Sequence, residues 1–180
     1  MAALSIREIT SSDVPLIADY WTKSDPSFME SMGVDLLKIP ERDELINMLG
    51  QQLDKPYSQK QSYALIWLID GIPSGHSNIN KIIFGEEAYM HLHLWNSPER
   101  KKGMGLNLVR MSLPQYFNNF NLRKLFCEPY ALNVAPNRTL GKIGFDFVKR
   151  YRTIPGSLNF EQEVNRWELS VEKYNTLAKA

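Results

Sequence analysis

Three consecutive β-strands are predicted by the stretch YALIWLIDGIPSGHSNINKIIFGEEAYMHLHLW, residues Tyr63–Trp95. Turn sequences at Asp70–Pro73 and Gly85–Glu86 divide the stretch and leave strand-like segments at Gly75–Phe84 and Ala88–Trp95. Short turns join neighbouring strands that run in opposite directions. We therefore expect an antiparallel three-stranded unit here.

The sequence before this stretch predicts one strand and two helices. Leu4, Ile6 and Ile9 stand among polar residues, which is typical of a short strand. Apolar residues at helical spacing then indicate helices at about Val14–Thr22 and Glu41–Leu53.

The sequence after it continues the mixture of helices and strands. A helical pattern follows Gly105 and runs to Phe120, although Pro114 is expected to kink this helix or end it early. The remaining elements are a helix at Asn133–Ile143 and strands at Lys124–Leu132, Phe145–Arg152 and Glu163–Val171. Hairpins mixed with crossovers predict an α/β fold in one domain, residues 1–180, with a central mixed, largely antiparallel, seven-stranded sheet flanked by about four helices.

Composition and charge exclude several classes of protein. With 43% hydrophobic and 23% charged residues, the chain is expected to be soluble and globular. Its 21 Lys and Arg against 20 Asp and Glu give a net charge of +1, so we expect no nucleic-acid partner. The apolar run Tyr63–Ile69 is far shorter than the ~20 residues that cross a bilayer, so we expect no membrane span. The single Cys127 and an N-terminus without a secretory pattern favour a cytoplasmic protein.

A basic, glycine-containing turn, RKKGMG at Arg100–Gly105, lies between a predicted strand and a predicted helix. Glycines allow close backbone approach, and the first-turn N–H groups of a helix are free donors, which suits a phosphate or pyrophosphate. An exposed basic turn is the alternative. The spacing matches neither the dinucleotide-binding nor the P-loop pattern.

Two segments resemble the GNAT superfamily of N-acetyltransferases. The turn RKKGMG is similar to the family signature R/Q-x-x-G-x-G/A, which precedes a helix and holds the pyrophosphate of acetyl-coenzyme A (acetyl-CoA). The segment NVAPNRTLGKIGF, Asn133–Phe145, resembles the N-x-x-S-x-x-x-x-x-K-x-G-F segment of the branch that includes ribosomal-protein N-terminal acetyltransferases. The predicted element order also matches the family fold.

The resemblance implies direct transfer of an acetyl group from acetyl-CoA to a primary amine of a small molecule or a protein N-terminus. A homodimer is left open. The resemblance places cofactor contacts at the backbone near the end of the fourth strand, at the basic turn and at the start of the later helix. The residues concerned are Leu94, Trp95, Arg100, Lys101, Lys102, Gly103, Met104, Gly105, Asn133 and Asn137.

Two positions depart from the family pattern. The frequent serine is Pro136 here, and the tyrosine that many members use to protonate the departing thiolate is Leu140. These departures leave the general acid unidentified and keep open a second function, a coenzyme-A-binding sensor without turnover. Asn137 is either a polar contact near the missing serine or a helix-surface residue.

Three residues are candidates for the catalytic base, because an alkylammonium with a pKa near 10.4 must lose a proton before it attacks. His91 and His93 lie two apart on a predicted strand and so share one face, opposite Met90 and Leu92. A histidine with its ordinary pKa near 6.5 suits proton transfer at neutral pH. Glu128 is a base, an ammonium-binding carboxylate or a surface acid.

The histidines also allow two other interpretations. One or both of His91 and His93 could simply satisfy hydrogen bonds beneath a helix. With His76 as a third ligand from the neighbouring strand, the pair could instead form a metal-binding module. Nothing in the spacing demands a metal.

Overall fold

The computed structural model describes residues 2–95 and 103–179. In these ranges a seven-stranded sheet has the order β1-β2-β3-β4-β5-β7-β6, and neighbouring strands are antiparallel except for the parallel pair β4 and β5. The strands are β1 (Leu4–Glu8), β2 (Ser62–Ile69), β3 (Ile72–Ile83), β4 (Glu87–Leu94), β5 (Lys124–Cys127), β6 (Asp146–Thr153) and β7 (Gln162–Ser170).

Six α-helices accompany the sheet in the described residues: α1 (Val14–Lys23), α2 (Pro26–Ser31), α3 (Arg42–Leu53), α4 (Met104–Phe120), α5 (Val134–Ile143) and α6 (Val171–Leu177). The predicted fold class is confirmed, and the four predicted helices are present. The short helices α2 and α6 were not predicted from the sequence. None of the helices in ranges 2–95 and 103–179 is long and apolar enough to cross a membrane.

Helix α4 does not end early at Pro114, as one of the two predicted outcomes required, because it continues to Phe120. Its buried stripe, which includes Leu108, Leu113 and Tyr116, runs through the proline position. Packing of this stripe against the sheet outweighs the one backbone hydrogen bond that the proline removes.

The helices pack on both faces of the sheet. On one face, α4 contributes Leu108, Tyr116 and Phe120 to the main core, where they join Leu65 and Trp67 of β2. On the other face, Ile17 of α1 packs against Ala64 and Ile66 of the same strand. Because side chains alternate along a strand, β2 is buried on both sides.

The parallel strands β4 and β5 separate soon after they pair. Register partners are confined to Glu87–Tyr89 and Lys124–Phe126. The predicted strand Lys124–Leu132 is too long, since β5 ends at Cys127. Pro129 follows closely and has no backbone donor for a sheet hydrogen bond. The chain then turns toward β7, where Tyr130 forms an isolated bridge with Val164, and a gap opens beside β4.

Candidate active site

A cavity of about 180 Å³ lies where β4 and β5 separate. It brings together all three predicted catalytic residues, His91, His93 and Glu128, and it also includes Asn133. Further lining residues come from α1, the segment after α2, β3, β4, the end of β5 and the segment after it, α5, the β6–β7 loop and the start of β7: Trp21, Met32, Val34, Asn78, Asn80, Met90, Leu92, Cys127, Pro129, Tyr130, Pro136, Pro155, Leu158, Asn159 and Gln162.

Two distant loops meet to close one side of this cavity. The segment after α2 bonds to the β6–β7 loop through Asp35 N–H and the Leu158 carbonyl, 2.8 Å apart. The Gly33 carbonyl accepts hydrogen bonds from Gln162 Nε2 and Asn159 Nδ2, each at 2.8 Å. No local sequence pattern indicates these residues, because their partners lie more than 120 residues away.

His76 and His93 form a stacked pair across β3 and β4. They are register partners, and their ring centroids are 4.6 Å apart. Trp95 Nε1 donates to His76 Nδ1 at 2.7 Å, and Tyr20 Oη lies 3.2 Å from His93 Nδ1. The predicted common face of His91 and His93 is confirmed, because their register partners Asn78 and His76 are neighbours on one face of β3.

Burial keeps these histidines neutral. It lowers the pKa of His76 to about 3 and that of His91 to about 4, and it lowers the pKa of His93 well below 6.5. Smaller repulsions act in the same direction, including that of His76 on His93. Burial thus moves the pKa of His93 away from the ordinary value near 6.5, so the ring is a weaker base than a free imidazole.

We expect stability to fall as the pH drops below about 6.5. Below that pH the histidines of the unfolded chain bind protons, whereas those of the folded chain do not. Each histidine therefore lowers the free energy of unfolding by up to about 1.4 kcal/mol per pH unit, until the pH reaches its pKa in the folded chain. For His76 and His91 the window runs from about 6.5 down to about 3 and 4, respectively. Urea denaturation at pH 8, 6.5 and 5 measures the effect. An unchanged free energy of unfolding between pH 6.5 and 5 contradicts it, whereas pH 8 and 6.5 should differ little.

The geometry does not support the alternative interpretation of a metal-binding module. The described residues include all three histidines, yet they contain no group of three His, Cys, Asp or Glu side chains that could hold a metal ion. His76 uses Nδ1 to accept from the Trp95 indole, and His91 Nε2 lies 3.0 Å from Asn80 Oδ1. Because the amide oxygen only accepts, His91 Nε2 carries the proton in this contact.

Glu128 is held at the cavity wall by two partners. The Tyr151 hydroxyl donates to Glu128 Oε1, and Arg166 Nη1 lies 3.5 Å from the same oxygen. Only 6% of the Glu128 side chain is exposed. Among the described residues that line the cavity, Glu128 is the one with a charged side chain. The cavity therefore presents one oriented negative charge among neutral groups.

The Asn133–Phe145 segment holds the cavity wall in position. It does not supply the tyrosine hydroxyl that acts as a general acid in many family members. Asn137 Nδ2 donates to the carbonyls of Tyr130 and Asn133, and its Oδ1 accepts from Asn165 and Trp167. All four hydrogen-bonding positions of this amide are thus occupied, so the helix-surface alternative is wrong and Asn137 braces α5 against β7.

Asn133 and Leu140, which lie on either side of Asn137 in the sequence, have different surroundings. Asn133 precedes α5 and lines the cavity, and its side chain caps no helical N–H. Leu140, at the position of the family tyrosine, is fully buried in the main core. A hydroxyl is therefore absent there, but Tyr130 lines the cavity and is a tyrosine that the motif did not indicate.

The start of α4 fits a pyrophosphate. Gly103 precedes the helix in the left-handed conformation, with φ of 76°, and the first turn contains no acidic residue. Apart from its chain neighbours and the backbone of α4, no atom in ranges 2–95 and 103–179 lies within 4 Å of a Cβ placed on Gly103 or Gly105, so these residues leave the backbone there open to a ligand. The helix supplies no carbonyl partner for the N–H groups of Met104 and Gly105, whereas Leu106 N–H donates to the Gly103 carbonyl at 3.3 Å. The predicted contacts Arg100, Lys101 and Lys102 lie outside the described residues.

Replacing Gly103 with valine should weaken coenzyme A binding at least about tenfold. A β-branched residue resists positive φ and would place methyl groups where the backbone must approach the ligand. Isothermal titration with coenzyme A measures the loss. Gly71→Val is the matched control, because Gly71 has a φ of 78° and open space but lies in the β2–β3 turn. Equal affinities for the two variants would contradict the assignment.

A parallel strand pair that opens beside a glycine-led helix is the arrangement expected of a GNAT acetyltransferase. Residues 3–146 match the family model described as an acetyltransferase (GNAT) domain. The chain belongs to the GNAT acetyltransferase family, as the two sequence segments predicted, and acetyl-CoA is its cosubstrate.

Solved structures of acetyltransferases share the fold. The ribosomal-protein alpha-N-acetyltransferase RimL with coenzyme A has a TM-score of 0.76 at 14% identity, over 94% of this chain and 95% of RimL. The Vibrio cholerae spermidine N-acetyltransferase with coenzyme A and spermine has a TM-score of 0.77 at 16% identity, over 96% and 98%. The aminoglycoside acetyltransferase AAC(6')-Ib with coenzyme A and kanamycin has 0.73 at 16%, over 97% and 98%. No curated protein sequence matches the chain.

Proposed function

We propose that this enzyme acetylates a primary amine of a small molecule or a protein N-terminus, and that Glu128 receives the amine. One observation carries the proposal: Glu128 is the single charged group among the described residues that line the cavity at the β4–β5 gap. A buried carboxylate attracts an ammonium more strongly than an exposed one does, and the other side chains that line this cavity are neutral, with Arg166 behind the carboxylate at 3.5 Å.

The attacking nitrogen needs a lone pair, so the bound ammonium must lose one proton. The Glu128 carboxylate accepts that proton, directly or through a water molecule. Tyr151 and Arg166 hold the carboxylate in place for this step. The neutral rings of His91 and His93 add no positive charge that would repel the incoming ammonium.

Residues on the α4 side of the gap hold the cosubstrate. We assign the pantetheine to the backbone of Leu94 and Trp95 at the end of β4, and the pyrophosphate to the N–H groups of Gly103–Gly105. Asn133, at the cavity wall, contacts the same arm. When bound, acetyl-CoA supplies a thioester carbonyl for the amine to attack.

The test is release of the coenzyme A thiol from acetyl-CoA in the presence of primary amines and N-terminal peptides, with mass spectrometry of the products. We expect thiol release together with a mass gain of one acetyl group on at least one amine. Raised thermal stability with coenzyme A, but no thiol release across the panel, would instead identify the non-catalytic sensor that Pro136 and Leu140 left open.

A further inference from the structure

A second cavity, of about 200 Å³, lies between helices α1 and α3 and strands β2 and β3. Its lining residues are Glu8, Ile9, Ile17, Trp21, Met48, Leu49, Gln52, Leu53, Lys60, Ser62, Tyr63, Ala64, His76, Asn78 and Leu158. Trp21, Asn78 and Leu158 also line the active-site cavity. The two cavities are therefore adjacent, with these three residues at their common border.

The second cavity extends the acceptor side of the active site. Ala64 packs toward α1 with Ile17, on the face of the sheet opposite α4. The cosubstrate is held at the start of α4, whose core residues pack on the other face. A group that continues from Glu128 past Trp21 into the second cavity therefore belongs to the amine and not to coenzyme A.

Apolar side chains dominate the wall of this cavity. Ile9, Ile17, Met48, Leu49 and Leu53 come from the end of β1 and from α1 and α3. Aliphatic surface of this kind stabilises a hydrocarbon chain by removing it from water.

Two charged side chains, Glu8 and Lys60, are among the described residues that line the second cavity. Both have hydrogen-bond partners within the protein. The Glu8 carboxylate accepts hydrogen bonds from the hydroxyls of Tyr57 and Tyr63, the latter at 2.7 Å. Lys60 Nζ donates to the carbonyl oxygens of Gln52 and Leu53 near the end of α3. The positive charge of Lys60 opposes that of Glu8, so the described wall carries no net negative charge that would favour a second ammonium group.

We propose that the acceptor is a primary amine with an unbranched apolar chain, whose nitrogen lies at Glu128 and whose chain occupies the second cavity. This inference rests on the proposed function. Spermine and kanamycin, the ligands bound to two of the structurally similar enzymes, are polycations and would place charge against the apolar wall. The geometry points instead to an alkylamine or an amine with a comparable hydrocarbon body.

Steady-state kinetics with acetyl-CoA and linear amines from propylamine to octylamine test this directly. We expect kcat/KM to rise by up to about fourfold per methylene until the cavity is filled. 1,6-Diaminohexane should react less well than hexylamine, because its second ammonium would meet the apolar wall. A thermal shift measured without acetyl-CoA should likewise be larger for octylamine than for propylamine.

The variant Met48→Glu places a carboxylate in the wall at a residue that is 52% exposed, so folding should be retained. We expect it to lower kcat/KM for octylamine about tenfold, to leave propylamine unchanged and to favour 1,6-diaminohexane. Met111→Glu is the matched control, since Met111 is 37% exposed on α4 and lines neither cavity. It should behave like the wild type.

The outcomes separate the two proposals. Turnover of primary amines without dependence on chain length, with no effect of Met48→Glu, overturns the apolar-chain inference and leaves the proposed function standing. Turnover of other primary amines or N-terminal peptides, but of no alkylamine, also overturns the apolar-chain inference alone. Absence of turnover for the alkylamines and for the whole panel of primary amines and N-terminal peptides overturns the proposed function. In that case, a chain-length-dependent thermal shift that Met48→Glu abolishes would still support the second cavity as an alkylamine site, and equal shifts for all amines would reject it.

Discussion

Glu128→Gln should lower kcat/KM for the amine acceptor by about 10²- to 10⁴-fold, the usual contribution of a positioned acid or base. Glutamine keeps the shape of the side chain and an oxygen for the Tyr151 hydroxyl, but it cannot accept a proton from an ammonium. It also removes the one negative charge from the described cavity wall. Initial rates with a saturating concentration of acetyl-CoA measure the loss.

The pH profile distinguishes proton transfer from a structural effect. Below a pKa of about 10.4, the neutral fraction of an alkylamine rises about tenfold per pH unit. The Glu128→Gln variant depends on that fraction, so its rate should climb along this slope between pH 7 and 9. The wild type, which removes the proton itself, should show a flatter profile.

Glu163→Gln is the control for the loss of a carboxylate. Glu163 is on β7, is 52% exposed, pairs with Arg150 and does not line the cavity. An exposed ion pair of this kind contributes little to stability, so wild-type activity is expected. A Glu128→Gln variant with wild-type rates and pH dependence would remove Glu128 from the mechanism.

Gly33→Ala should reduce the free energy of unfolding by about 2–4 kcal/mol. A Cβ at this position would lie 2.1 Å from Gln162 Oε1, and the φ of 86° disfavours any residue other than glycine. Gln162 is 3% exposed and has little room to move. Urea denaturation measures the loss.

The same substitution should also disturb the amine site. The Gly33 carbonyl is bonded to Gln162 and Asn159, so a shift of this segment moves the loop pair that closes the cavity. We expect a higher KM for the amine and an unchanged affinity for coenzyme A. Gly85→Ala is the control, because Gly85 has a φ of 81° but open space around it. Equal destabilisation of both variants would show that the contact with Gln162 is unimportant.

Local sequence patterns predicted most of the secondary structure. Alternation along β4 placed His91 and His93 on one face and Met90 and Leu92 on the other. Helical spacing located α1, α3, α4 and α5 to within a few residues. Such patterns suffice because each depends on near neighbours in the chain.

Local rules failed where tertiary contacts compete with them. Pro114 argues for a broken helix, but the buried stripe of α4 keeps the helix continuous. The apolar run after Lys124 argues for a long strand, but β5 ends at Cys127 because the chain leaves β4 there and turns to β7. In both places the deciding partner lies far away in the sequence.

The amino-acid sequence was sufficient for the order of the elements, the family and the three candidate residues at the cavity. Only the folded chain shows that the histidines are neutral, that Tyr151 and Arg166 hold Glu128, and that an apolar cavity adjoins the active site. The reason is physical. Desolvation and cavity shape depend on residues such as Tyr20, His76 and His93, which come together from separate elements and share no local pattern.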